Sequence, residues 1–92
     1  MTDRSGYRVV STARARRELD RLPPDAAARA RLPLRALALD PRPPGVRSLI
    51  GTGFWRVRIG DLRIVYEIDD KKRLVLIARV VRRGESSYRR LR

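Results

Sequence analysis

The chain of 92 residues carries 23 Lys and Arg against 10 Asp and Glu, a formal net charge of +13, and contains neither Cys nor His. That length supports one modest core, so residues 1–92 read as a single domain. Disulfides, thiol nucleophiles and zinc–thiolate sites are excluded, and so is the imidazole that most often serves acid–base chemistry and metal binding.

Lys71 and Lys72 are the only lysines; every other base is Arg. An excess of this size is the footprint of a polyanion-binding domain, with nucleic acid the leading partner and an acidic protein second. A membrane surface ranks third, because no strongly apolar amphipathic helix accompanies the charge. The first residues form no apolar signal region, and the longest apolar run, residues 74–78, is far too short to span a bilayer. A cytoplasmic protein without membrane, metal or cofactor is expected.

In chain order, Tyr7-Arg8-Val9-Val10-Ser11 reads as a first strand. Ser11 or Thr12 offers an N-cap oxygen to a helix starting near Ala13. Ala15, Leu19 and Leu22 fall on one stripe of that helix, with Arg14, Arg17 and Arg21 on its outer side and Glu18 softening their charge. Pro23-Pro24 ends it. A second helix over residues 25–39 places Ala27, Ala30, Leu34 and Leu37 on one face, and Pro33 inside it predicts a kink or a split into two shorter helices. Residues 40–45, with three prolines and a glycine, form a stiff connector. Residues 46–53 lead out of it, with Leu49 expected to anchor them to the core and Arg47 expected near the basic face described next.

The segment from Phe54 to Ile68 carries the strongest pattern. It alternates, turns at Gly60-Asp61, and alternates again, which is the signature of a β-hairpin with a two-residue type II′ turn. That turn sets the register: Ile59 opposite Leu62, Arg58 opposite Arg63, Val57 opposite Ile64, Arg56 opposite Val65, Trp55 opposite Tyr66. One face is apolar. The other carries Phe54, Arg56, Arg58, Arg63, Val65 and Glu67. Like charges directly opposite cost roughly 0.2–1 kcal/mol. An unfavourable pair in an otherwise well-patterned hairpin points either to an anion held between two guanidinium forks, phosphate above all, or to a solubilising basic face. The polar turn 69–72 leads to a last strand over residues 73–81. With Leu74, Leu76, Ala78 and Val80 toward the core, Arg79 and Arg83 would join the Arg58/Arg63 face, and a slip of one residue would reverse this. A basic tail with Tyr88 follows. The order β-α-α-β-β-β implies an α+β fold, a small antiparallel sheet with two helices on one face.

The helical hairpin, the Arg56-Val57-Arg58 strand, the Gly60-Asp61 turn, the Arg63-Ile64-Val65-Tyr66 strand and the Arg82-Arg83 end of the last strand together resemble the RelE/ParE superfamily, the toxins of bacterial type II toxin–antitoxin modules. The resemblance runs from Tyr7 to Tyr88. In the RelE-like branch it implies a ribosome-dependent endoribonuclease (an mRNA interferase) that cuts mRNA in the A site of the 70S ribosome, without metal or cofactor, and that is held by a cognate acidic antitoxin. Carried onto this chain, Arg58, Arg63, Arg83 and Tyr88 are the implied catalytic residues. Arg56, which matches a further active-site position of that branch, is expected with Arg47, Arg79 and Arg82 to bind RNA, and Glu85 is a candidate for proton transfer. Two strand positions often occupied by Lys in the ribonucleases are Arg here. Two alternatives remain beside the nuclease: a ParE-like DNA gyrase inhibitor without its own chemistry, and a non-toxic basic binding module.

Overall fold

The computed structural model describes residues 6–82. In chain order these form β1 (Arg8–Ser11), α1 (Ala13–Asp20), α2 (Pro24–Ala36), β2 (Arg47–Leu49), β3 (Phe54–Ile59), β4 (Leu62–Asp69) and β5 (Leu74–Arg82). The strands make one sheet in the order β1-β5-β4-β3-β2, and both helices pack on one face of it. The α+β class and its two-helix layer stand. The sheet differs in two details from the four antiparallel strands expected: Arg47–Leu49 adds a short edge strand, and β1 pairs with β5 in parallel.

The helices begin where their caps predict. The Thr12 hydroxyl accepts the Ala15 amide at 3.1 Å, which satisfies one of the donors a helix start leaves open. Pro24 opens α2, where its fixed φ suits the first turn. Of the kink or split expected at Pro33, the split does not occur: α2 is one helix that ends at Ala36, short of the predicted Leu39. Ala15, Ala26, Ala30 and Leu37 are buried, and small residues on both helices let them lie close to the sheet.

The hairpin of β3 and β4 has the register read from its turn, pair for pair. Gly60 sits at φ 62°, a conformation an L side chain adopts only at a cost of roughly 1–2 kcal/mol. Leu62, Ile64 and Tyr66 of this hairpin are buried beneath the helices with Val75, Ile77 and Val80.

The last strand departs from expectation. Val75 and Ile77, not Leu74 and Leu76, face the core, and Ile77 pairs with Tyr66 while Arg79 pairs with Val65. Ala78 is the extra residue of a β-bulge, and past it the core side passes from odd to even numbers, so that Val80 is buried inward. The cause lies in α1. β1 ends opposite Ile77, and beyond it the start of α1 takes over the open edge of β5. Thr12 Oγ1 donates to the Ala78 carbonyl at 3.3 Å, and the Val80 amide donates to Glu18 Oε1 at 2.7 Å. Leu49 pairs with Phe54 on the sheet face away from the helices, and Val46, not Leu49, packs against the core.

Candidate functional site

The sheet face turned away from the helices has a basic end. Arg47 on β2 lies directly opposite Arg56 on β3, and Arg58 on β3 directly opposite Arg63 on β4. Arg56 and Arg58 are two residues apart on one strand, so all four side chains leave the same face. Neighbouring strands lie about 4.8 Å apart, which keeps the four guanidinium groups within reach of one small polyanion. Gly45, Arg47, Arg56 and Arg58 line an open hollow of about 480 Å³. Arg47 and Arg58 are exposed, whereas Arg56 and Arg63 are half-buried and each has an interaction partner. Phe54 pairs with Leu49 at the other end of β3.

A latch on the connector sets how β2 arrives at this face. The Tyr66 hydroxyl, fully buried, donates to the Pro41 carbonyl at 2.7 Å. The Arg42 guanidinium holds Asp70 through two bonds of 3.2 and 2.9 Å and lies 5.0 Å from the centre of the Trp55 ring. The Tyr7 hydroxyl donates to the same carboxylate at 2.6 Å. These bonds, Arg42 first and Tyr7 second, hold the Asp70 carboxyl below its ordinary value. Burial pushes the Tyr66 phenol up to about 12. Gly45, at φ 88°, closes the connector beside the hollow.

The residues singled out from the sequence divide into three groups. Arg47, Arg56, Arg58 and Arg63 come together as expected. Arg79 stands in their cross-strand row, opposite Val65, but its guanidinium is taken by α1, and Arg82, opposite the buried Leu62, lies on the helix side. The Arg79 Nε and Nη2 both bond Glu18 Oε2 of α1 at 2.9 Å, and Arg82 lies 3.6 Å from Asp61. Both arginines line a second hollow between α1 and β5. Arg83, Glu85 and Tyr88 lie outside the described residues. What the sequence reading missed is Glu18 as a clamp on β5, and the gathering of Arg14, Arg17 and Arg21 on that second hollow. Their helical spacing was visible, but not the strand end it faces. Among the described residues no three acidic groups converge to hold a metal, and no helix is long and apolar enough to cross a membrane.

The pattern of the family described as "ParE toxin of type II toxin-antitoxin system, parDE" matches residues 9–86. No curated protein matches the chain. Among solved structures, the chain is similar to one from the toxin–antitoxin complex RelBE2 of Mycobacterium tuberculosis, with 31% identity over 92% of this chain and 100% of that one, at a TM-score of 0.76. A chain of the archaeal RelE–RelB complex from Pyrococcus horikoshii shares 29% identity over 88% of this chain and 99% of that one, again at 0.76. The isolated RelE toxin of E. coli shares the fold at a TM-score of 0.76 and 19% identity, over 91% of this chain and 92% of that one.

Proposed function

From the premise that the chain belongs to the ParE toxin family of type II toxin–antitoxin systems, within the RelE/ParE superfamily, we propose that it is a RelE-like endoribonuclease acting on mRNA in the ribosomal A site. The observation that carries this reading is the opposed pair Arg58 and Arg63, with Arg56 and Arg47 beside it, on a face that no described helix covers. Guanidinium groups held directly opposite each other are relieved by an anion between them, and a phosphodiester fits that place.

The ribose 2′-oxygen attacks the adjacent phosphorus, forming the 2′-O–P bond. The P–O5′ bond breaks, leaving a 2′,3′-cyclic phosphate and a free 5′-hydroxyl. The 2′-hydroxyl proton must leave and the 5′-oxygen must gain one. Negative charge grows on the phosphoryl oxygens, where fixed guanidinium donors count most. Arg58 and Arg63 supply that clamp, and Arg56 and Arg47 hold the flanking backbone. Arg83 holds the phosphate and assists the leaving oxygen, Tyr88 orients the 2′-hydroxyl or stacks on a base, and Glu85 is the partner for proton transfer. Arginine stays protonated at neutral pH, so the clamp itself is not the base. Alignment by the ribosome supplies much of the rate. The toxin–antitoxin complexes among its structural neighbours support an acidic antitoxin as the partner of this chain too.

The test is cleavage of mRNA on purified translating ribosomes by the parent, Arg58→Ala and Arg63→Ala. Removing one donor of such a clamp costs about 10²–10³ in rate, and undiminished cleavage by both variants ends the assignment. The matched family is described by its ParE members, which favours a second reading as a gyrase inhibitor. Loss of supercoiling by purified gyrase, with mRNA left intact, selects that reading instead.

A further inference from the structure

Five arginines, Arg14, Arg17 and Arg21 of α1 with Arg79 and Arg82 of β5, line a hollow of about 520 Å³ that includes one carboxylate, Glu18. Glu18 is already committed: one oxygen takes the Arg79 guanidinium and the other the Val80 amide. Among the described residues Arg17 and Arg21 have no salt bridge, and both are exposed.

The placement of these arginines works against the helix that carries them. Arg14 and Arg17 are three apart and Arg17 and Arg21 four apart, so like charges are neighbours on one stripe. An anion in the hollow relieves that repulsion.

The hollow also adjoins the basic end of the open face. Arg82 pairs with Leu62 and Val81 with Arg63, at the same end of the sheet as Arg58. The basic surface therefore continues from Arg47 and Arg58 across the ends of β4 and β5 to Arg21. The apolar lining is Leu22, Val80 and Val81, of which the two valines are buried. Little is left there to anchor the apolar stripe of an amphipathic helix, whereas guanidinium forks on an open basic track suit phosphates in succession.

We propose that the hollow between α1 and the end of β5 is a second binding site for the phosphodiester backbone of a nucleic acid strand, with Arg17 and Arg21 as its principal contacts. It is independent of whether the open face cuts RNA. A fluorescein-labelled 12-nucleotide 2′-O-methyl oligouridylate, which has no attacking hydroxyl, is titrated with the full chain at several KCl concentrations. For a single strand the slope of log K against log [salt] is about −0.7 per phosphate neutralised. Arg17→Gln/Arg21→Gln is expected to flatten the slope by about 1.4, the share of two phosphates. Arg31→Gln/Arg35→Gln, an equal change of charge at exposed positions of α2, is expected to leave it as in the parent. Equal flattening by both pairs, or none by either, overturns the proposal. So does unchanged RNA binding by the Arg17/Arg21 variant together with lost binding of a decaglutamate peptide, which would make the hollow a site for acidic polypeptide.

Discussion

Replacing Glu18 tests the idea that α1 sets the end of β5 through a single side chain. Its carboxylate accepts the Arg79 Nε and Nη2 and the Val80 amide, at 2.9, 2.9 and 2.7 Å, and also lies 3.8 Å from Arg14 Nε. The Arg79 and Glu18 side chains are only 16% and 18% exposed. In Glu18→Ala a mostly buried guanidinium and a strand amide lose their acceptor together. Breaking a fully buried pair by removing one partner costs about 3–5 kcal/mol, while an ordinary hydrogen bond to a charged group is worth about 1.5–3. The residual exposure places this case at about 2–3 kcal/mol. For a domain of this size that is a fall in Tm of about 10–20 °C. Removing a negative charge from a chain of net charge +13 also adds general repulsion, so the specific coupling is read from a double-mutant cycle with Arg79→Ala. Urea unfolding followed through Trp55, the sole tryptophan, supplies the four stabilities. A coupling of about 1.5 kcal/mol or more is expected for a pair of charge-assisted bonds this short. A coupling within the roughly 0.3–0.5 kcal/mol scatter of independent sites would show that Glu18 does not hold Arg79 in solution, and the account of the bulge would fall with it.

Arg58→Thr is expected to raise stability by roughly 0.2–1 kcal/mol, because it removes a like-charge pair across the hairpin, while it lowers mRNA cleavage; a variant that is both less stable and fully active would contradict the role given to the pair. The Asp70 carboxyl is held below its ordinary 3.8 by Arg42 and Tyr7, so its contribution is complete above that unfolded value and fades as pH falls through the lower folded value. The stability difference between the parent and Asp70→Asn should accordingly be level at neutral pH and shrink only below about pH 4, and a difference that instead grows in acid would reverse the sign. Tyr66→Phe leaves the Pro41 carbonyl without its donor and should cost about 1 kcal/mol. Ultraviolet titration should show Tyr66 ionising near 12, not 10, in the folded protein, so that its share of stability is lost as pH rises from the unfolded to the folded value.

The hairpin and its three arginines, Arg56, Arg58 and Arg63, could be read from the sequence because their constraints are local. A two-residue Gly-Asp turn admits one register, and a period of two then assigns every side chain to a face. The same locality explains why Thr12 as cap and Ala15 as core residue were legible. Alternation misplaced Leu74 and Leu76, which face away from the core, and gave no sign that the Arg79 guanidinium would be held by Glu18. Strict alternation along residues 74–80 carries no mark of the extra residue at Ala78, since the bulge answers to groups far away in the chain: Thr12 and Glu18, which bond the edge of β5 where β1 stops. Parallel pairing of β1 was hidden for a related reason, because a crossover through two helices leaves the direction of the first strand to packing and not to a turn. Local chemistry thus determined which residues could bear charge on one face of the hairpin; only the folding of α1 against β5 decided which of the remaining arginines stand beside them and which gather on the hollow behind.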